Sequence, residues 1–404
     1  MGILGSGVAG VVSLASKFGY EVTGCDLGKQ GHSASHLKNV DLVVATPAVF
    51  YQSVKHPEFL EARKRGILLT WQEFVGKYLQ KGKKVIAIAG THGKSTTTAM
   101  TAKILEDAGF DPLVVLGAKV PSWGSNARYG KGKYFVIEAD EFYDNFLNYR
   151  PMTILLNNVE FDHPDYFKDE SAVFDSYKKF IGNLTGEKTL IVNKKSIGIK
   201  KLLDGLNLKE INLVEVDSKV NLNLKVAGLH NISNAQMVWT FGKLLGIKES
   251  LIKKSLESFE GIGRRMELIS SKSGIKIYDD YAHHPTAIAA TLEGLRDMYK
   301  DNRIWAVVEA HGYQRTKVLL DKYEGVFDKA DMVVVGPIFK ARDPETFGMT
   351  EKLIAQASKH KKALAFSKLD EMFDYLKKNL VSGDIVLVMG AGKSNLWTQK
   401  LLGS

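Results

Sequence analysis

Residues Lys84–Met100 read KVIAIAGTHGKSTTTAM. The apolar run Val85–Ala89 predicts a buried parallel strand, and Thr96–Leu105 has the composition and spacing of a helix. Between them lies a tight loop, Gly90-Thr91-His92-Gly93-Lys94-Ser95. Strand, glycine-rich loop and helix make a phosphate site: loop amides and the helix N-terminus face the anion. Lys94 adds a full positive charge, and Ser95 can place a hydroxyl on Mg²⁺. The pattern is incomplete, because Ile88 stands where GxxxxGK[ST] has its first glycine.

The flanking sequence extends this α/β reading over the whole chain. Ile3-Leu4 followed by Gly5-Ser6-Gly7-Val8-Ala9-Gly10 predicts a strand, a turn and a helix to Gly19. A second strand is expected at Glu21–Cys25, ending at the acid Asp26, as in a dinucleotide-type fold. Leu42–Ala45, a helix at Pro57–Arg65 and Ile67–Leu69 would complete a small doubly wound sheet. After the polar junction Lys81–Lys84, strands are expected at Leu113–Leu116, Tyr134–Glu138, Thr153–Asn157 and Thr189–Val192. A third segment repeats the alternation at Ile275–Tyr278, Ile304–Val308, Met332–Val335, Ala363–Phe366 and Ile385–Met389. Strands alternating with helices imply mainly parallel sheets covered on both faces. The expected division is residues 1–80, 81–266 and 267–404: a Rossmann-like domain, a P-loop domain and a second Rossmann-like domain.

Composition narrows the classes. The chain has 404 residues, 45% apolar and 25% charged, as a globular multidomain protein would. Its single cysteine, Cys25, excludes an intrachain disulfide and fits a reducing cytoplasm. No apolar run approaches the ~20 residues of a membrane span. The net charge of +10 suits anionic substrates. The lysines are scattered, without the basic stripe and interleaved aromatics of a nucleic-acid binder.

Polar clusters stand at the expected carboxyl ends of strands, where parallel sheets bind ligands. Glu138-Ala139-Asp140-Glu141 can reach Mg²⁺ beside a phosphate. Asn157–His163 has the same placement, and His163 is either a core histidine or a metal ligand. His230, Asn231 and Asn234 suit a purine edge, or Asn caps the helix there. Gly261–Glu267 (GIGRRME) offers paired arginines for phosphates or interdomain salt bridges. Tyr278–Thr286 (YDDYAHHPT) and Ala310–Thr316 (AHGYQRT) are too polar for plain connecting loops. Within the second, Arg315 can grip a carboxylate with two parallel hydrogen bonds.

GTHGKSTTT, EADE, NNVEFDH, GLHNISNA, GIGRRME and YDDYAHHPT occur here in the order seen in Mur ligases, and the chain resembles that family over essentially its whole length. The resemblance implies an ATP-dependent carboxylate–amine ligase of peptidoglycan precursor synthesis, with UDP-substrate, ATPase and amino-acid domains in that order. HGYQRT and GDIVLVMGAG resemble the members that add L-alanine to UDP-N-acetylmuramate. The central part is closer to the members that add a recycled tripeptide, which rank second because they lack HxYxRT. Two departures stand out. Only four residues separate Asp26 from Gly31, where the family has a helix and a strand, which implies a reduced UDP subsite. Gly312 stands where an arginine is usual, which takes a cation from the amino-acid subsite.

By resemblance, the muramyl carboxylate attacks the γ-phosphate of ATP, and the amine then displaces phosphate from the acyl phosphate. The implied roles follow. Gly90, Thr91, His92, Gly93, Lys94, Ser95 and Thr96 cradle the phosphates. Ser95 holds a first Mg²⁺, and Glu138 and His163 hold a second. His230, Asn231 and Asn234 bind the nucleotide, with Arg265 and Asp280 closing on it. Gly5, Gly7 and Asn126 contact the UDP-sugar. His283, Tyr313 and Arg315 position the amino acid, with His311 a weaker candidate. No nucleic acid or membrane partner is implied, and a monomer or homodimer is expected. A nucleotide switch would not need the polar C-terminal clusters, and an oxidoreductase would not need the phosphate loop.

Overall fold

The computed structural model describes residues 1–3, 6–26, 31–47, 49–52 and 55–402. The chain divides into two compact units. One comprises Met1–Glu160, Ser171–Val220 and Ala235–Leu256; the other comprises Phe161–Glu170, Asn221–Asn234 and Glu257–Ser404.

The first unit is built on a seven-stranded sheet. In spatial order its strands are Ser125–Arg128, Leu113–Val120, Tyr134–Glu138, Lys84–Ala89, Thr153–Leu156, Thr189–Val192 and Asn212–Glu215. Only Ser125–Arg128 runs antiparallel. Val85–Ala89 is wholly buried at the middle of the sheet, as its unbroken apolar run requires when both faces are covered. Its neighbours Tyr134–Glu138 and Thr153–Leu156 pair with it on either side. Their polar carboxyl ends therefore open beside the loop that follows Ala89.

The first eighty residues depart from the expected doubly wound sheet. Helix Ser6–Lys17 forms, but 20–26 is not a strand; the Cys25 carbonyl instead accepts from the Gly2 and Ile3 amides. Here a two-stranded parallel sheet, Val43–Ala45 with Leu68–Thr70, is found. Two amides share the one Cys25 carbonyl, so the contact is a single point rather than the repeating ladder a strand requires. Leu4 and Gly5, of the expected first strand and turn, lie outside the described residues.

The second unit carries a six-stranded sheet in the order Glu267–Lys272, Ile275–Asp280, Ile385–Met389, Ile304–Val308, Met332–Val335 and Ala363–Ala365. It is parallel apart from its first strand. Successive residues feed opposite cores. Ile304, Ala306 and Val308 pack with Val333 and Leu387 on one face. Trp305 and Val307 pack with Val334 and Val388 on the other. This period of two lets a continuous apolar run bury both faces.

Candidate active site

In the first unit the loop Gly90–Gly93 leads into helix Lys94–Asp107. A side chain at Gly90 would sit 2.9 Å from the Asn158 carbonyl, so the strand-to-loop turn can close only on glycine. The loop is braced from strand Thr153–Leu156. Asn158 Oδ1 accepts from the His92 amide at 2.8 Å, and Asn157 donates to Thr97 Oγ1 at 2.9 Å. Thr91 Oγ1 accepts from the Glu160 amide at 2.8 Å.

Two pairs stand at the mouth of this loop. Lys94 Nζ lies 2.8 Å from Glu141 Oε2, 3.8 Å from Asp140 and 2.7 Å from the Gly90 carbonyl. Burial works against the Lys94 charge, but Glu141 and Asp140 outweigh it and raise its pKa. Lys94 is thus a fixed cation. Ser95 Oγ donates to Glu138 Oε1 at 3.0 Å, while Glu138 Oε2 accepts from the Gly117 amide at 2.6 Å. A hydroxyl and a carboxylate so placed are the hard oxygen donors that Mg²⁺ takes beside nucleotide phosphates, so the residues fit that ion. The sequence reading singled out Lys94, Ser95 and Glu138 but passed over Glu141, the acid that holds Lys94.

In the second unit, Arg315 Nη2 donates to Asp162 Oδ2 at 2.7 Å, and both side chains are buried. Burial opposes ionisation of Asp162, yet Arg315 outweighs it and holds the carboxyl well below its usual range. Arg315 Nε is buried with no hydrogen-bond partner among the described residues. The guanidinium therefore keeps a buried donor for an incoming anion. His283 and His311 lie alongside, with ring centroids 5.5 Å apart. Burial and then the Arg315 charge drive His283 well below the ordinary histidine range, and the same causes push His311 down to about 3. His283 Nδ1 lies 2.8 Å from the Tyr281 carbonyl, which assigns the proton to Nδ1 and leaves Nε2 as an acceptor.

The remaining candidates have more structural surroundings. Both Asp280 oxygens are engaged, one by the Met266 amide and one by the Ala282 amide, each at 2.7 Å. Arg264, which the sequence reading passed over, reaches Asp279 at 3.1 Å, the Gly390 carbonyl and Ser394. Arg265 stacks on Tyr281 at 5.2 Å. Asn231 donates to the Ala227 carbonyl and accepts from Asn234 in the first turns of helix Leu229–Leu244, which His230 also enters. His163 sits beside Asp162 in the second unit, whereas Glu138 belongs to the first. Gly7 packs on Trp71, and the buried Asn126 faces Gly10 and donates to the Leu116 carbonyl. Gly5 lies outside the described residues.

Gly312 also has a backbone role. It has φ +78° and caps helix Tyr313–Val318, and its Cβ position lies 3.3 Å from Asp343 Oδ2. Asp343 in turn accepts from the Tyr313 and Gln314 amides. Glycine is required here by the backbone and cannot be read simply as a missing cation.

The buried histidines set a pH dependence. A histidine with a lowered folded pKa binds its proton in the unfolded state first, so its stability contribution is complete above about 6.5 and falls as pH drops towards the folded value. With His311 at about 3, roughly 2 kcal/mol should be gone by pH 5. Urea midpoints of wild type and His311→Gln at pH 7.5 and 5.0 test this. The wild type should lose more over that interval, and equal losses would place His311 in water.

Residues 88–217 match the Mur ligase middle domain, and residues 264–392 match the Mur ligase glutamate ligase domain. The chain is 34% identical to UDP-N-acetylmuramate–L-alanine ligase of Acetivibrio thermocellus, over 97% of this chain and 92% of that protein. The crystal structure of UDP-N-acetylmuramate–alanine ligase from Thermotoga maritima superposes with a TM-score of 0.78 at 24% identity, covering 100% of this chain and 97% of that one. A murein peptide ligase from Psychrobacter arcticus gives a TM-score of 0.71 at 25% identity, with the same coverage of both chains. This chain belongs to the Mur ligase family and has its three-domain α/β architecture.

Proposed function

We propose that this protein joins L-alanine to the carboxylate of UDP-N-acetylmuramate at the expense of ATP, through an acyl phosphate, in peptidoglycan precursor synthesis. The observation that carries the amino-acid assignment is Arg315: a buried guanidinium, anchored on Asp162, with its Nε donor still uncommitted. A free α-carboxylate is the ligand such a group takes.

The residues then divide the work. Lys94 and the amides of Gly90–Thr96 hold the β- and γ-phosphates, Glu141 keeping the lysine in place. Ser95 and Glu138 would hold Mg²⁺, with His163 as a further ligand; the ion supplies charge neutralisation of the transferred phosphoryl group. Arg315 orients the amino acid, and Tyr313 lines the same subsite. His283, whose Nε2 is left as an acceptor, helps to position the amino acid. His311 is a weaker contributor to the same subsite. His230, Asn231, Asn234 and Arg265 contact the nucleotide, while Asp280 positions the turn that carries His283. Gly5, Gly7 and Asn126 serve the UDP-sugar. In this reading the domains are residues 1–80 for the UDP-substrate, 81–266 for ATP and 267–404 for the amino acid. The enzyme works in the cytoplasm as a monomer or homodimer. Among the described residues, no helix is long and apolar enough to cross a membrane.

The deciding experiment is phosphate release with ATP and UDP-N-acetylmuramate against L-alanine, glycine, L-serine and the recycled tripeptide. L-Alanine should give the highest kcat/KM. Turnover with the tripeptide alone would overturn the assignment.

The Mg²⁺ assignment has its own test. Glu138→Gln keeps the shape of the side chain but removes the charge that balances the ion. Its kcat should fall about 10²-fold or more, with partial recovery at high Mg²⁺. An unchanged Mg²⁺ dependence would remove Glu138 from the ion's ligands.

A further inference from the structure

The N-terminal segment holds a second cluster of ligating side chains that the ligase reaction does not use. Cys25 Sγ lies 3.1 Å from His32 Nδ1 and 3.2 Å from Glu58 Oε1. His32 Nδ1 and His36 Nδ1 each stand 3.4 Å from Glu58 Oε2. Only 2% of the His32 side chain and 4% of the Glu58 side chain are exposed. His36 Nδ1 is buried without a hydrogen-bond partner among the described residues. We propose that Cys25, His32 and Glu58 bind a thiophilic divalent cation, zinc before others, with His36 as the fourth ligand.

Geometry and chemistry both favour this. With Zn–S near 2.3 Å and Zn–N or Zn–O near 2.0 Å, the edges of a ligand tetrahedron measure about 3.3–3.6 Å. The separations among Cys25, His32 and Glu58, 3.1 to 3.4 Å, need only a slight outward shift to admit the ion, and His36 would complete the set by moving in from its place beside Glu58. Thiolate with imidazole selects Zn²⁺ over Mg²⁺, which prefers all-oxygen sets. The site therefore does not compete with Ser95 and Glu138. The buried Glu58 carboxylate faces two imidazoles and a thiol, accepts from the Ser33 amide and has no lysine or arginine partner among the described residues, so it is a group that a cation would satisfy. On binding, the Cys25 thiol gives its proton to solvent as the S–metal bond forms.

The placement suggests what the ion does. It would tie the segment holding Cys25, His32 and His36 to helix Pro57–Lys64, which carries Glu58. This region has a two-stranded sheet and a small core of Met1, Leu37, Val43, Ala45, Phe59 and Ala62. Small scaffolds of this kind gain much from a metal staple.

The test is Co²⁺ titration of the full chain after chelator treatment, followed by Zn²⁺ displacement. One equivalent should give the intense visible bands of tetrahedral Co²⁺ and a thiolate-to-cobalt band in the near ultraviolet, all lost on adding Zn²⁺. Cys25→Ser should lose the thiolate band, and Glu58→Gln should weaken binding by at least the ~10-fold typical of outer-shell changes. A weak octahedral spectrum in folded wild type, or a thiolate band surviving in Cys25→Ser, would overturn the proposal. A second measurement needs no variant. Because Cys25 is the only cysteine, its alkylation rate reports the site directly. Zn²⁺ should slow alkylation in wild type, and equal rates with and without Zn²⁺ would also overturn it.

Discussion

Lys94→Ala should reduce ligation by about 10³-fold or more, because the transferred phosphoryl group loses a fixed positive charge in a site built around it. The fold should also weaken. Glu141 is 3% exposed at its side chain and pairs with Lys94 at 2.8 Å. Removing one partner of a buried pair leaves the other charge uncompensated, at a cost of ~3–5 kcal/mol. The two effects separate in the double variant Lys94→Ala/Glu141→Gln. That protein should regain much of the lost stability, since no buried carboxylate is left unpaired, and should stay inactive. Urea midpoints and phosphate release, measured on the same preparations, test this. Recovery of turnover with recovery of stability would show that Lys94 only holds the fold, and the phosphate assignment would fail.

That pairing also shows where sequence reading stops. The parallel strands were legible because they are unbroken apolar runs ending in polar clusters. Tyr134–Glu138, Ile304–Val308 and Ile385–Met389 form with the expected bounds. Lys94, Ser95 and Glu138 were legible because loop chemistry and strand ends are local patterns. Glu141 was not, because nothing in EADE tells which acid turns towards the lysine. Arg264 and Arg265 posed the same problem: adjacent, identical in type, and separated only by what each reaches. Glu21–Cys25 was expected as a strand ending at Asp26, but a strand needs a partner in register, and here the Cys25 carbonyl meets only the Gly2 and Ile3 amides. The pairing of Asp162 with Arg315 joins positions 153 residues apart, which no local pattern encodes.

Arg315→Lys should raise the KM for L-alanine about 10- to 100-fold while leaving the KM for ATP close to wild type. Lysine keeps the positive charge beside Asp162, so the buried pair survives and the variant should fold. What it loses is the planar fork, and with it the Nε donor that is buried and uncommitted among the described residues. A charge-assisted hydrogen bond of this kind is worth ~1.5–3 kcal/mol, which sets the expected range. Arg315→Ala is the less informative change, because it strands the Asp162 carboxylate and confuses binding with stability. The neighbouring position sharpens the argument. Sequence comparison alone suggests that an arginine at 312 would restore a lost cation and tighten L-alanine. The backbone there has φ +78°, and a Cβ would meet Asp343 Oδ2 at 3.3 Å. Gly312→Arg should therefore strain the start of helix Tyr313–Val318 by ~1–3 kcal/mol and displace Arg315 with it, raising the KM for L-alanine. Steady-state kinetics on the two variants decide the matter. If Arg315→Lys shifts the KM for ATP and spares that for L-alanine, Arg315 serves the nucleotide. If Gly312→Arg lowers the KM for L-alanine, the loop is softer than this backbone implies and the extra cation outweighs the strain.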